Sequence, residues 1–528
     1  MHKVLVSDKL ADIGLKILKS TEIQVDVETG LSEDALAEKI GDYDALIIRS
    51  GTTVTEKIIN AAHKLRVIGR AGIGVDNVDL PAASKKGIIV MNTPTGNAVT
   101  TAEHAIAMMF AVSRHIPQAM ASVKRGEWER KAFTGHQLAG KVLGVVGCGN
   151  IGKIVANRAL GLHMDVVGYD PFLSAESAEK LGIEPVSLED LYKRSDLITL
   201  HTPLTDKTRG MINRQAFEQM KKGVIVVNCA RGGIVVESDL IWAIDEGIVA
   251  GAALDVYEEE PLGKDHPLLK YPQIVMTPHL GAATDEAQLN VAKEIAELVV
   301  DYLQNGVIKN AVNVPSVSAE SLKVLGPFLE LSEKLGSLHG QLAESLPETV
   351  HIEYYGDIAD YEIQPLTISV LKGLLSPMLE GVNVNYVNAT IMAQDCGIKI
   401  VESKISDHSD YASLISVEAK GKTETRKISG TIFGHTALRI VQINDFYLEA
   451  IPEGHLLYIH NEDKPGVIGA IGTLLGENGI NISRMQLGLK PGSREAVAVY
   501  SVDKRLKKDL FDKLSSLPHI LSAKQLEL

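Results

Sequence analysis

The stretch VLGVVGCGNIGKIVANRAL, residues 142–160, constrains this chain more than any other. An apolar, valine-rich run reads as a buried strand, and an alanine-containing helical pattern follows it at once. Between them Gly147, Gly149 and Gly152 keep the G-x-G-x-x-G spacing. Gly147 permits the tight turn, Gly149 lets a pyrophosphate approach the backbone, and Gly152 lets helix and strand pack closely. The free N–H groups and positive dipole end of the helix then face the phosphates. The following strand, MDVVGYD, ends in Asp170. A carboxylate there accepts hydrogen bonds from ribose hydroxyls and repels a 2′-phosphate, which favours NAD over NADP. The plainer alternative is a glycine turn beside a surface aspartate, and it leaves the order of the parts unexplained.

The same strand–turn–helix alternation runs from residue 1 to about residue 284, so the fold class expected is α/β with parallel sheets. A chain of 528 residues is too long for one core, and several domains are expected. In the first stretch KVLVSD, QVDVE, ALIIRS and RVIGRAG read as strands, with IIVMNTP following. LADIGLKILKS, SEDALAEKIG and TEKIINAAHKL read as helices, and NAVTTAEHAIAMMFAVSRHI as one long helix leading into the second unit. DEAQLNVAKEIAELVVDYLQNG reads as a long amphipathic helix closed by Gly306. NAVNVPSVS then reads as a linker, LGPFLELSEKLGSLHGQLAE as a helix, and residues 350–453 as mostly strands.

The formal net charge of −14 argues against a broad nucleic-acid face, while local arginines still suit an anionic substrate. Cys148, Cys229 and Cys396 have no metal or disulfide spacing, so no metal is expected and the compartment reads as reducing, that is cytoplasmic. No stretch is apolar for long enough to span a bilayer, and the first residues lack a signal-peptide core.

In an open parallel sheet, ligands sit beyond the carboxyl ends of the strands. DLITL runs into His201, Thr202 and Pro203, and VIVVN into Cys229, Ala230 and Arg231. AGAAL runs into Asp255 and then Glu258, Glu259, Glu260 and Pro261, and QIVMT into Pro278 and His279. An isolated histidine at such a place reads most simply as a helix cap. An arginine and a carboxylate at neighbouring strand ends change that reading. Hydride transfer from a hydroxyl carbon needs a base for the hydroxyl proton, and imidazole titrates near neutrality. A carboxylate behind the ring fixes its tautomer, and a guanidinium holds a substrate carboxylate by a two-point fork.

GRAGIGVDNVDL, VLGVVGCGNIGK, VVNCARGGIV, GAALDVYEEEP and TPHLGAAT together resemble the D-isomer-specific 2-hydroxyacid dehydrogenases. The resemblance covers essentially the whole chain, and it is nearest to the long members with two further C-terminal modules. It implies two Rossmann-like, doubly wound parallel-sheet domains: a discontinuous substrate domain, 1–98 with 285–315, and an NAD domain, 99–284. An α+β intervening domain, 316–453, and a βαββαβ ACT domain, 454–528, are implied to follow. By the same resemblance Arg231 binds substrate, Glu260 pairs with His279, and His279 is the acid/base. Cys229, Asp255, Asn150, Ile151, Thr202, Ala230, Gly281 and Ala282 match cofactor positions. Arg49, Gly74 and Arg130 match positions that hold the substrate's anionic groups. The implied activity is NAD-dependent oxidation of 3-phospho-D-glycerate to 3-phosphooxypyruvate, the opening step of phosphorylated serine synthesis, in a homotetramer. A glyoxylate or hydroxypyruvate reductase, or a non-catalytic NAD sensor, on the same fold are the competing expectations.

HNEDKPGVIGAIGTLLGENGINIS resembles the ACT module, with Gly466, Gly469 and Gly472 expected to permit close packing. Asn461, Asp463 and Asn481 match positions that hold an amino-acid effector, implied to be L-serine bound between paired modules. A plain dimerisation module is the other reading. Lys422, Arg426 and Lys427 form a basic run, read either as a site for a phosphorylated effector or as a solvated strand edge.

Overall fold

The computed structural model describes residues 1–315, 319–379, 381–407, 410–490 and 492–528. They form two compact units: 1–55, 62–78 and 91–310 in one, and 56–61, 79–90 and 311–528 in the other. The domain boundary expected at residue 316 lies outside the described residues.

The N-terminal sheet has the order Ile23–Val27, His2–Val6, Ala45–Ile48, Val67–Arg70, Ile89–Met91. Its first four strands pair parallel. The strand Ala45–Ile48 is buried along its whole length, as a sheet covered on both faces requires. Ser32 caps the helix Glu33–Lys39 by accepting from the Ala35 amide. The long helix Asp285–Asn305 is capped by Thr284 and ends at Gly306 in the left-handed region. It lies against this sheet so closely that a Cβ on Gly69 would come within 2.9 Å of the Ile295 and Val299 side chains.

The second parallel sheet has the order Ile274–Met276, Val249–Leu254, Val224–Asn228, Leu197–Leu200, Val142–Val146, Asp165–Tyr169, Glu184–Pro185. From Val142–Val146 the chain steps outward in one direction, then returns to add Leu197–Leu200 on the other side. That reversal opens a crevice at the carboxyl ends of these two strands, where α/β sheets bind ligands. The long helix expected over NAVTTAEHAIAMMFAVSRHI ends at Ser113, because His115 takes a left-handed conformation (φ 52°) and Pro117 opens a new helix, Ile116–Lys124.

The C-terminal unit holds a ten-stranded mixed sheet whose two ends are the two modules, joined where Tyr447 pairs with Leu489. The first part is less strand-dominated than the sequence suggests. QPLTISVLKGLL forms the helix Gln364–Leu375, buried on nearly every side, and Ala389–Asp395 is also helical. A helix buried all round has no amphipathic period to betray it. The last part is βαββαβ, with strands His455–Glu462, Ile482–Leu489, Glu495–Val502 and Ile520–Glu527 and helices Val467–Glu477 and Lys508–Ser515. Among the described residues no helix is long and apolar enough to cross a membrane.

Candidate active site

The glycine turn sits at the crevice. Gly147 has φ 89°, and a Cβ there would come within 2.7 Å of the His201 carbonyl oxygen. A Cβ on Gly152 would overlap the Gly147 carbonyl oxygen at 1.9 Å, so helix and strand touch backbone to backbone. Gly149 caps the helix Asn150–Gly161 with no side-chain bond to its first amides, and nothing lies within 4 Å of the place its Cβ would take. That open cradle beside free helical N–H groups fits a pyrophosphate. Asp170 faces the turn: one carboxylate oxygen accepts from the Cys148 amide at 2.8 Å, the other from the Phe172 amide. Thr202 presents a buried hydroxyl with no protein partner. Ile151 is partly buried beside the turn, and the Asn150 amide donates to the Pro94 carbonyl at 3.3 Å. These residues fit a dinucleotide.

The rim residues converge. Glu260 Oε2 lies 2.7 Å from His279 Nδ1, while Glu260 Oε1 accepts from the Tyr257 amide at 3.1 Å. The acidic loop is braced from behind, because the Glu237 and Glu258 side chains each accept the other's backbone N–H at 2.9 Å. His279 adopts φ 55°, a left-handed conformation costly for a residue with a side chain. The buried Asp255 holds it there: its Oδ1 accepts from the Leu280 amide at 2.7 Å, its Oδ2 from the Gly281 amide at 2.8 Å. Burial opposes ionisation of Asp255, but bonds from His104, Thr277 and Leu280 outweigh it and leave the carboxyl below its usual range. Among the described residues Oδ2 accepts only the Gly281 bond, which leaves it a lone pair for an amide donor. Cys229 and Ala230 are buried, Ala282 partly so; burial pushes the Cys229 thiol well up, so it stays uncharged.

Arg231 reaches the turn that follows the strand Val67–Arg70 of the first sheet. Its Nε donates to Asp76 at 2.7 Å and its Nη1 to the Ala230 carbonyl at 2.6 Å. Its guanidinium lies on Gly74, where a Cβ would fall 1.6 Å from Nη2. The next residue, Gly232, would drive a Cβ into the Tyr257 carbonyl oxygen at 1.6 Å, so only glycine fits after this arginine. Arg49 follows the strand Ala45–Ile48; Nη1 donates to the Lys9 carbonyl at 3.2 Å, and Nε is buried with no partner.

Two site residues escaped the sequence. Arg70 ends the strand Val67–Arg70, and its buried Nε also lacks a partner. Burial first, and then the nearby Arg231 charge, pushes its pKa down to about 10. Asp76, in the turn after that strand, ties Arg231 to this part of the chain. Arg70 was available to the same strand-end rule that points to Arg231, but the strand reading RVIGRAG carries it inside the strand and not at its end. Arg130, by contrast, lies on an exposed loop and makes no hydrogen bond or ion pair with these residues.

In the C-terminal module, the three expected effector residues do not meet within one chain. Asn461 pairs with Ala496 near one end of the sheet, and Asp463 follows it. Asn481 precedes Ile482, which pairs with Val502, as does His455 at the other end. The helix Val467–Glu477 carries the chain back along the sheet and so separates them. Gly466 is a left-handed helix cap, and among the described residues nothing lies within 4 Å of where a Cβ on Gly469 or Gly472 would sit. The basic run disperses too. Arg426 pairs with Glu424 at 2.7 Å and Lys427 with Glu353 at 3.0 Å, and successive strand residues face opposite ways. Their strand, Thr425–Phe433, is flanked on both sides and is not an edge. Lys422 lies in the turn before it.

Residues 106–281 match the family described as D-isomer specific 2-hydroxyacid dehydrogenase, NAD binding domain. Residues 324–444 match the D-3-phosphoglycerate dehydrogenase intervening domain, and 455–519 the ACT domain. A D-3-phosphoglycerate dehydrogenase of Bacillus subtilis is 42% identical over 528 residues, 100% of both chains. The chain belongs to the D-3-phosphoglycerate dehydrogenases, within the D-isomer-specific 2-hydroxyacid dehydrogenase family. A relative of that description from Archaeoglobus fulgidus is 43% identical, again over 100% of both chains. Among solved structures, a D-lactate dehydrogenase from Aquifex aeolicus complexed with NAD and lactic acid is 27% identical with a TM-score of 0.53; the match covers 60% of this chain and 100% of that one. A glyoxylate reductase from Paecilomyes thermophila is 29% identical with a TM-score of 0.56, covering 59% and 98%. Within the family, the dinucleotide the glycine turn would hold is NAD.

Proposed function

We propose that this chain is an NAD-dependent oxidoreductase that interconverts 3-phospho-D-glycerate and 3-phosphooxypyruvate, the first step of a phosphorylated route to L-serine. The observation that carries this is the 2.7 Å Glu260–His279 pair on the same rim as Arg231, with Arg49 and Arg70 beside it. A phosphorylated hydroxy acid carries two anionic groups, which one arginine would leave half neutralised. Arg49 and Arg70 each keep a buried N–H without a protein partner, and that favours this substrate over glyoxylate or lactate.

When bound, NAD supplies the hydride acceptor. Glu260 accepts a hydrogen bond from the Nδ1–H of His279 and so leaves Nε2 as the basic nitrogen. In oxidation Nε2 removes the hydroxyl proton, and Glu260 stabilises the imidazolium that forms. Arg231 holds the carboxylate and polarises the developing carbonyl. Gly147, Gly149 and Gly152 admit the pyrophosphate, Asn150, Ile151 and Thr202 line its path, and Asp170 receives the ribose hydroxyls. Cys229, Ala230, Asp255, Gly281 and Ala282 surround the nicotinamide end. Gly74 gives Arg231 room. Arg130 adds a further cation from its loop.

We assign 1–98 with 285–315 to the substrate domain, 99–284 to the NAD domain, 316–453 to the intervening domain and 454–528 to the ACT domain. The protein works in the cytoplasm as a homotetramer; the buried free thiols of Cys148 and Cys229 suit a reducing compartment. L-Serine is its effector, held by Asn461 and Asp463 of one chain and Asn481 of another. The opposed positions of these residues in one chain support a shared site.

The test is the reductive direction. Purified protein with NADH and 3-phosphooxypyruvate should consume NADH, and L-serine should slow it. Reduction of glyoxylate or hydroxypyruvate instead would reassign the substrate. No turnover with any of these would leave an NAD-binding protein without this chemistry.

A further inference from the structure

The left-handed turn at His279 raises the question of what holds it. Asp255 bonds the Leu280 and Gly281 amides, and its own carbonyl accepts the His279 N–H at 3.0 Å. The carboxylate is therefore the anchor of the turn. It is 1% exposed, and an ion so buried needs strong partners of its own. Among the described residues the one basic side chain paired with it is His104, whose Nε2 lies 3.2 Å from Oδ1. The same Nε2 lies 3.2 Å from Thr277 Oγ1. Thr277 has a single hydroxyl proton, and it points to Asp255 Oδ1 at 2.6 Å. Thr277 must then accept at its remaining contact, so the proton between it and the ring sits on Nε2 of His104.

His104 belongs to the helix Ala98–Ser113. One turn on, Met108 touches Thr277 Oγ1 through its sulfur at 3.7 Å, and one turn back, Thr101 lies where a Cβ on Gly281 would come within 3.3 Å. Positions three and four apart share a helix face. A single face of this helix therefore backs the whole turn, and His104 supplies its charged-group contact.

We propose that His104 is a positioning residue for His279. Its Nε2–H secures the Asp255 carboxylate and the Thr277 hydroxyl, and Asp255 fixes the strained turn that aims the acid/base imidazole. The proposal rests on the reading of His279 as acid/base. Without the His104 donor, Asp255 keeps its amide bonds but loses its restraint from the helix side. The imidazole of His279 then samples geometries displaced from the productive one, and displacements near 1 Å cost rate steeply.

The experiment compares His104→Leu, which keeps bulk and removes the donor, with His104→Gln, whose amide nitrogen reaches the place of Nε2. Reduction of 3-phosphooxypyruvate by NADH is measured with His279→Ala alongside. The Leu variant should lose about 10- to 100-fold in kcat with KM for 3-phosphooxypyruvate nearly unchanged, and the Gln variant should regain most of it. Equal kcat in all three folded proteins would overturn the proposal. So would equal losses in Leu and Gln, which would make the site one of ring packing. If the Leu variant fails to fold, His104→Asn, with an amide too short to reach Asp255, replaces it under the same two outcomes. Activity surviving in His279→Ala would sink the acid/base reading itself, whereas loss there with flat His104 variants sinks only the positioning role.

Discussion

Glu260 and His279 stand 2.7 Å apart at Oε2 and Nδ1, although they arrive from different strands, one after Val249–Leu254 and the other after Ile274–Met276. Each is pinned by backbone: Glu260 by the Tyr257 amide, His279 by the Asp255 and Thr277 carbonyls. The charge on Glu260 matters most when His279 holds a proton. Glu260→Gln should therefore lower kcat about 10²- to 10⁴-fold in both directions, since the imidazolium loses its counter-charge. A fluorescence titration should show NADH binding unchanged. A kcat within about threefold of wild type would remove Glu260 from the mechanism.

Gly74 is where the Arg231 guanidinium rests. A methyl group there would sit 1.6 Å from Arg231 Nη2 and 2.9 Å from Asp76 Oδ2, so the guanidinium has to move. Gly74→Ala should raise KM for the keto acid by about tenfold or more while thermal stability shifts little, because Gly74 itself is not in the core. Steady-state kinetics beside a melting curve separates the two. A large fall in melting temperature with KM unchanged would mean that Gly74 serves the loop and not the arginine.

Arg70 and Arg130 make opposite cases. Arg70 is half-buried at the rim, and its buried Nε has no partner among the described residues; Arg130 is exposed and makes no hydrogen bond or ion pair with the rim residues. Arg70→Ala should cost phosphorylated substrate about 2 kcal/mol or more of binding, the range for a charge-assisted bond, and cost an unphosphorylated analogue less. Arg130→Ala should follow the same pattern more weakly. Equal losses on the two substrates for Arg70→Ala would deny it the phosphate.

The glycine turn, the strand-end residues and the Glu260–His279 pair were legible because each lies where a local rule applies: a turn that only glycine allows, or the first residues past a buried run. His104 was not legible. It sits mid-helix, and its meaning depends on Asp255 and Thr277, which the sheet brings to it from distant segments. Gln364–Leu375 was missed for the reverse reason, being apolar on all faces. The effector residues were matched by motif, but no motif states that the helix Val467–Glu477 puts Asn481 at the far end of the sheet from Asn461.

Asp170 joins two functions. It accepts the Cys148 amide, which shapes the glycine turn, and in the proposed function it receives the ribose hydroxyls. Asp170→Ala should weaken NADH binding and narrow the preference over NADPH, because the negative charge that repels a 2′-phosphate is gone. The ratio of kcat/KM for the two cofactors reads this directly. An unchanged ratio with both values lowered would leave Asp170 only the turn.

His339 gives the protein a built-in acid sensitivity. It lies on the helix Ala319–Leu342, 1% exposed; its Nε2–H donates to the Val417 carbonyl at 2.9 Å, and Nδ1 is buried without a partner. Burial pushes its pKa down to about 3. An unfolded histidine takes up its proton near pH 6.5, so between about pH 6.5 and 3 the unfolded chain binds a proton that the folded one refuses. Stability should fall with pH across that window by up to about 1.4 kcal/mol per unit from this residue. His339→Gln retains a donor for Val417 and does not titrate. Urea unfolding at pH 7.5 and 4.5 should show the variant gaining on wild type by roughly 2–3 kcal/mol at the lower pH. A stability difference independent of pH would mean that His339 already carries its proton in the folded protein.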